Sequence, residues 1–114
     1  MIRSLLFSFG TLMLMAAAPL PTRTPPSEAE IERLADRAAK GYFGDCNFVE
    51  PLAIQHDRDF VGYEVISSCG PNPISGHIAV NRFNGDVWEL LSCQKIQRAQ
   101  VKAGPPIRPE CFND

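Results

Sequence analysis

The sequence lacks the short motifs that identify many enzymes and cofactor-binding proteins. It has no glycine-rich phosphate loop, haem-attachment motif or calcium-binding loop. The segment around Ser75 lacks the first glycine of the Gly-x-Ser-x-Gly turn, and neither His56 nor His77 has a nucleophile motif beside it. We therefore expect a protein that is not an enzyme and binds no cofactor. The alternative is a small hydrolase, with Asp86 and Glu89 as acid and base if a cleft encloses them.

Positive charge is not concentrated anywhere in the chain. Eleven Lys and Arg residues and 13 Asp and Glu residues give a net charge of −2, and the two signs alternate. The sequence therefore predicts no basic surface for nucleic acid or for an anionic membrane. It also contains no Cys-x-x-Cys pair and no closely spaced histidines, so we expect no metal site.

The first 26 residues have the composition of an export signal and a spacer. Residues 1–18 contain one arginine, Arg3, then an apolar run, and end in three alanines. This pattern predicts a secretory signal peptide cleaved near Ala18; an uncleaved membrane anchor is the alternative. Residues 19–26 contain four prolines and are expected to form an extended tether. Residues 27–114 then form a single periplasmic or secreted domain, with no membrane attachment after cleavage.

All four cysteines lie in this expected domain, at Cys46, Cys69, Cys93 and Cys111. An even number of cysteines in a small exported domain predicts two disulfides, because the compartment is oxidising and a short chain buries little apolar surface. We prefer this interpretation to a zinc site, because no Cys-x-x-Cys pair and no closely spaced histidines bring zinc ligands together.

An N-terminal helix is predicted over residues 28–40. Ser27 and Glu30 have the spacing of a capping box, in which each side chain accepts a hydrogen bond from the other residue's backbone N–H. Apolar residues then recur at helical spacing at Ile31, Leu34, Ala35 and Ala38. This stripe is expected to pack on a sheet.

Strand-forming runs follow at residues 47–55, 60–68 and 76–93. The last run contains Asn84 and Gly85, which favour a two-residue type I′ turn, so it predicts two strands joined as a hairpin. Residues 94–103 are interpreted as a short helix. The predicted fold is α+β: one N-terminal helix packed on a four-stranded antiparallel meander sheet, with two disulfides. The expected core is Ile31, Leu34, Ala38, Leu52, Ile54, Val61, Val65, Ile78, Val80 and Leu91.

The strand pairing predicts the disulfide connectivity. If residues 56–59 form the turn between the first two strands, Cys46 lies opposite Cys69. In the hairpin, a two-residue turn places Ile78 opposite Leu91, and Cys93 is then about 10 Å from Cys69, two strand spacings away. Disulfides need Cα atoms within about 7 Å, so Cys46 is expected to pair with Cys69, and Cys93 with Cys111.

The hairpin sequence VNRFNGDVWEL, residues 80–90, resembles the hairpin of PepSY-like and cystatin-like exported bacterial domains. The resemblance implies a small helix-on-sheet domain that binds or inhibits another envelope or secreted protein. An inhibitor or immunity-type protein is one form of this function, and an accessory or structural envelope protein is the alternative. Because exposed turns on rigid sheets often recognise partners, the candidate partner-binding residues are Arg82, Phe83, Asn84, Asp86 and Trp88.

Overall fold

The fold is one helix packed on an antiparallel sheet, in a computed structural model that describes residues 24–52, 58–98 and 107–113. The sheet has five strands in chain order, so each strand pairs with its neighbours in sequence. This confirms the α+β class, with one strand more than the four predicted. The elements are α1 (Glu28–Phe43), β1 (Asn47–Pro51), β2 (Phe60–Ser67), β3 (Ile74–Asn81), β4 (Val87–Glu89) and β5 (Gln94–Gln97).

The start of α1 confirms the capping box. The Glu30 N–H donates to the Ser27 hydroxyl at 3.2 Å, and the Ser27 N–H donates to the Glu30 carboxylate at 2.9 Å. The helix ends at Phe43, three residues later than predicted. Gly44 ends it with a φ of 116°, a conformation that favours glycine, and its N–H donates to the Lys40 carbonyl.

The fifth strand corrects the prediction of a helix over residues 94–103. Residues 94–97 instead pair with β4 as strand β5, and Ile96 packs against the main core. The chain reverses between the two strands through a turn that ends at Cys93, whose φ is 58°. Pairing with β4 and burial of Ile96 outweigh helical propensity in so short a segment. Residues 99–103 lie outside the described residues.

The main core lies between α1 and one face of the sheet. Alternation along each strand directs every second side chain to this face. Its buried members are Ile31, Ala35, Ala38, Ala39, Val61, Tyr63, Val65, Ile78, Val80 and Val87, with Leu34, Phe43, Val49 and Ile96 packed at the margin.

A second, smaller cluster lies on the opposite face of the sheet. It is formed by Phe60, Ala79, Leu90 and Cys111, with Trp88, Cys93 and Ile107 packed against it. The C-terminal segment, residues 107–113, therefore covers part of this face. Backbone contact holds it there, because the Phe112 N–H donates to the Leu90 carbonyl at 3.0 Å.

The predicted core is correct for most of its members. Six of the ten residues are buried, Leu34 and Leu52 are partly buried, and Ile54 lies outside the described residues. Leu91 is wrong, since 61% of its surface is exposed. The reason is that β4 ends at Glu89, so the chain turns before Leu91 can face the helix. Leu90 is the buried residue instead.

The predicted disulfide connectivity is confirmed. Cys46 is bonded to Cys69 with a Cα–Cα distance of 5.9 Å, and Cys93 is bonded to Cys111 with a Cα–Cα distance of 5.7 Å. The first disulfide joins the start of β1 to the end of β2. The second holds the C-terminal segment against the second face.

Both predicted strand registers need correction. In the β1–β2 pair, Phe48 lies opposite Ile66 rather than Ser67, a shift of one residue. In the hairpin, Ile78 lies opposite Glu89 rather than Leu91, a shift of two. The hairpin shift arises because its loop has four residues, 82–85, instead of the expected two.

Candidate functional site

The hairpin loop, residues 82–85, is held rigidly by the side chain of the residue that precedes it. The buried Asn81 amide oxygen accepts hydrogen bonds from the backbone N–H groups of Phe83 (2.7 Å) and Asn84 (3.1 Å). The Gly85 N–H closes the loop on the Asn81 carbonyl at 2.9 Å. Gly85 alone in this loop has a positive φ, 84°, so the turn is not type I′, which needs positive φ at two successive residues.

The five predicted partner-binding residues do not share one surface. Phe83 is 41% exposed at the loop, and Arg82 and Asn84 are half-buried beside it. Asp86 is only 8% exposed and pairs with Lys95 at 3.0 Å. Trp88 is half-buried against the second cluster, with the Lys95 ammonium 5.6 Å from its ring centre.

The carboxylates considered for hydrolysis, Asp86 and Glu89, each have structural partners. Asp86 forms the ion pair with Lys95. Glu89 accepts hydrogen bonds from the Ser92 hydroxyl and from the N–H groups of Leu91 (3.0 Å) and Ser92 (2.8 Å). The Asp86–Lys95 ion pair therefore links the start of β4 to β5, and Glu89 stabilises the turn between these two strands.

Among the residues that the structure describes, Tyr63 and Glu89 have shifted pKa values. Burial opposes ionisation of Glu89, but the hydrogen bonds from Ser92 and Leu91 outweigh it and hold its pKa below the usual range. Burial raises the pKa of the Tyr63 hydroxyl, and the charges of Glu32 and Glu28 raise it further. Tyr63 lies on the helix side of the sheet, so its shift belongs to the main core.

The part of the second sheet face on β1, β2 and the start of β3, away from the second cluster, forms a second candidate surface. We call this surface the open face. It consists of six side chains on β1, β2 and β3: Phe48, Glu50, Glu64, Ile66, Ile74 and His77. They point away from α1 because they alternate with the main-core residues of the same strands, and β3 resumes this alternation after the irregularity near its start. Phe112 borders the surface, with its ring 4.8 Å from that of His77.

An apolar row crosses the open face. Phe48, Ile66 and Ile74 lie directly opposite one another on three adjacent strands. Phe48 is 38% exposed and Ile74 is 44% exposed. Ile66, between them, is half-buried. Exposed apolar residues are common singly, whereas an aligned row of three with both ends exposed forms a contiguous patch of the kind that marks interaction sites.

A polar row lies beside the apolar row. Glu50, Glu64 and His77 are likewise opposite one another on the same three strands. His77 Nε2 lies 3.5 Å from the Glu64 carboxylate. The open face therefore combines apolar and acidic contacts.

The free edge of β1 borders this surface, and its pairing with β2 determines which backbone groups face outward. The Cys46 carbonyl accepts from the Ser68 N–H, and the Leu52 N–H donates to the Gly62 carbonyl, both at 2.9 Å. Hydrogen-bonded positions alternate in antiparallel pairs. The outward-facing positions are therefore Asn47, Val49 and Pro51.

Two of these three positions are already blocked. The Asn47 N–H donates to the Gly44 carbonyl at 3.1 Å, and the Asn47 carbonyl accepts from Lys40 Nζ at 2.8 Å. Pro51 has no N–H to donate. Within β1, only Val49 offers both a donor and an acceptor, so this edge is a poor template for an added strand.

No group of three or more His, Cys, Asp or Glu residues in the described part of the chain is arranged to hold a metal ion. Among those same residues, no helix is long and apolar enough to cross a membrane. The sequence matches no protein-family model, and comparisons with curated proteins and with solved structures found no significant match.

Proposed function

We propose that this protein is an exported module that binds another protein of the cell envelope or exterior through the open face. The observation that carries the proposal is the apolar row of Phe48, Ile66 and Ile74, in which Ile66 is half-buried and both ends are exposed. The other face of the same sheet is covered by α1, and the C-terminal segment covers part of the second face. The remaining apolar patch stays exposed on a framework that a disulfide holds rigid, as binding surfaces often are.

Side-chain contact is the binding mode that these features favour. Strand addition to β1 would need a series of outward-facing N–H and carbonyl groups, whereas both groups of Asn47 already have partners and Pro51 has no N–H. The apolar row, in contrast, offers contact area without any rearrangement of the backbone. The partner is therefore expected to lie on the sheet rather than extend it.

The hairpin loop is the second candidate surface, with Phe83 as its exposed apolar residue. It lies at the opposite end of β3 from Ile74, roughly 23 Å away at the rise of a β-strand. Variants can therefore separate the two surfaces. Asp86 and Trp88 then support the loop and the second cluster rather than contact the partner.

Export is part of the same proposal. The two disulfides are compatible with an oxidising compartment, that is, the periplasm or the exterior. We propose that residues 1–18 direct export and are removed near Ala18. Mass spectrometry of the exported protein is expected to show a new N-terminus close to Pro19. An intact N-terminus in the membrane fraction would contradict this part.

Whether binding inhibits the partner follows from the partner's activity. An inhibitor or immunity-type protein blocks the activity of the protein it binds, whereas an accessory envelope protein leaves that activity unchanged. An assay of the captured partner with and without the domain separates the two. Hydrolysis by the domain itself would require Asp86 and Glu89 to leave their present partners.

Site-directed photo-crosslinking tests the binding surface. A photoreactive phenylalanine is placed at position 48 or 74 of the mature protein, which is then mixed with an envelope extract of the encoding organism. We expect one discrete adduct from these positions. The matched controls carry the same residue at position 83, in the hairpin loop, and at position 91, which is exposed outside both surfaces. A discrete adduct from position 83 alone would move the site to the hairpin loop, and no discrete adduct from any position would contradict protein binding.

A further inference from the structure

The polar row of the open face places two negative charges directly against each other. Glu50 and Glu64 are opposite residues on adjacent antiparallel strands. Like charges in this arrangement repel and destabilise a sheet. The repulsion is an intrinsic cost of the isolated domain, and a cation brought between the two carboxylates would relieve it.

The described part of the chain supplies no permanent cation to these carboxylates. His77 Nε2 lies 3.5 Å from the Glu64 carboxylate, and no lysine or arginine among the described residues pairs with Glu50 or Glu64. The Glu64 and His77 side chains are each 27% exposed, so they are accessible to a partner. This contrasts with Asp36 and Asp86, each of which pairs with a lysine.

From this charge pattern we infer that the partner presents a lysine or arginine beside apolar side chains. The inference rests on the proposed function and names the chemistry of the partner at the same surface. The apolar side chains would cover Phe48, Ile66 and Ile74 while the cation lies between Glu50 and Glu64. Exclusion of water by the apolar contact strengthens the attraction between the charges.

The same charges disfavour a second copy of this chain as the occupant. A two-fold symmetric dimer through the open face would bring a second pair of glutamates toward the first. Such a contact would add repulsion to an already unfavourable pair. A dimer that forms through this face is therefore an outcome that contradicts the inference.

Three extended peptides test the chemistry of the partner, each added to the oxidised mature protein, residues 19–114. Every second position of each peptide is serine, and the positions between alternate valine and lysine in the first peptide, valine and glutamate in the second, and serine and lysine in the third, so that both kinds of side chain lie on one face of the extended chain. Only the first combines both properties, so we expect it to bind at least tenfold more tightly than the others. Amide chemical shifts should change on β1, β2 and β3 around the open face and stay unchanged in residues 82–85.

A charge-neutral variant provides the second measurement. The double variant Glu50→Gln/Glu64→Gln should bind the valine–lysine peptide about five- to thirtyfold more weakly at low salt, because it loses two exposed charge pairs. The matched control is Glu28→Gln/Glu32→Gln, which removes the same charge from exposed positions of α1. The control should keep the affinity within about twofold, and added salt should reduce the difference between the two variants.

Equal binding of the three peptides, no binding of the valine–lysine peptide, or equal loss in both double variants would overturn the inference. The crosslinking experiment decides the proposed function separately. If positions 48 and 74 capture a partner as strongly in Glu50→Gln/Glu64→Gln as in the parent, the open face binds a protein of different chemistry. If these positions capture none, the proposed function itself fails.

Discussion

Removal of either disulfide should destabilise the domain, and removal of the Cys93–Cys111 bond should cost more. The two bonds have sequence separations of 23 and 18, so they close loops of 24 and 19 residues with both cysteines counted. In the chain-entropy model each is worth about 3 kcal/mol, and the longer loop exceeds the shorter by only about 0.2 kcal/mol. Loop entropy alone therefore predicts nearly equal losses.

Packing separates the two bonds. Cys46 and Cys69 are both exposed, whereas Cys111 is 5% exposed and belongs to the second cluster with Phe60 and Leu90. Loss of the second bond also frees the segment that covers this cluster. Partial loss of one or two buried apolar side chains adds about 1–3 kcal/mol to the entropic term. We therefore expect Cys93→Ala/Cys111→Ala to be less stable than Cys46→Ala/Cys69→Ala by about that amount.

Urea unfolding followed by circular dichroism measures the difference. In thermal unfolding, each kcal/mol of lost stability lowers the melting temperature by about 4–8 °C for a domain of this size. Hydrogen exchange gives the local readout, because the Phe112 N–H is bonded to the Leu90 carbonyl only while the C-terminal segment is docked. Losses of stability that agree within about 0.5 kcal/mol, with the Phe112 amide still protected, would refute the reasoning.

Three further predictions concern single positions. Gly76→Ala should cost about 1–3 kcal/mol, because its Cβ would lie 2.6 Å from the Phe43 ring. Gly41→Ala should stabilise α1 by up to about 1 kcal/mol, because its Cβ would meet no atom within 4 Å beyond the neighbouring helix backbone. Urea unfolding measures both changes, and equal effects on stability would contradict the packing. Because the pKa of Glu89 is lowered in the folded state, its ionised form stabilises the fold above the unfolded-state pKa of about 4.3, and this contribution is lost as pH falls through the folded-state pKa. Glu89→Gln should therefore flatten the dependence of stability on pH below about pH 5. An unchanged dependence would contradict the lowered pKa of Glu89. Pro51→Val restores an N–H at the free edge of β1 and should increase self-association in light scattering, while a strictly monomeric variant would show that the proline is not what protects this edge.

The elements of the fold were predictable where local chemistry decides them. The capping box of Ser27 and Glu30 fixes the start of α1 from adjacent residues alone. β5 was not predictable in this way, because Ile96 is its single apolar side chain and only its pairing with β4 makes it a strand. Elements that depend on non-local partners carry little local signal.

The size of each register error decided what else could be predicted. The hairpin register differs by two residues, an even shift that leaves the side chains of β3 and β4 on their predicted faces, so Ile78 and Val80 were correctly assigned to the core, whereas Leu91 lies beyond the end of β4. The β1–β2 register differs by one residue, an odd shift that exchanges which β1 side chains share a face of the sheet with a given set of β2 side chains. The disulfide between Cys46 and Cys69 tolerates this shift, because their Cα atoms still lie 5.9 Å apart.

The same one-residue shift explains why the open face was missed. With Phe48 expected opposite Ser67, no apolar row crossed the three strands. The irregularity between Val65 and Ile66 then brings Ile74 opposite Ile66, and a regular ladder would not do so. The sequence does show strand residues Phe48 and Ile66 each alternating with a core valine, and that alternation is the signal that points to a second apolar surface.

The most direct test of the open face compares two matched double variants in the capture of a partner from the envelope extract. Phe48→Ser/Ile74→Ser removes the exposed ends of the apolar row, and Phe83→Ser/Leu91→Ser removes two apolar side chains elsewhere that together are more exposed. We expect the first variant to lose the affinity at least tenfold, as central apolar contacts of an interface do, and the second to retain it. Retained capture by the first variant and loss by the second would place the binding surface at the hairpin loop or Leu91 and contradict the proposal.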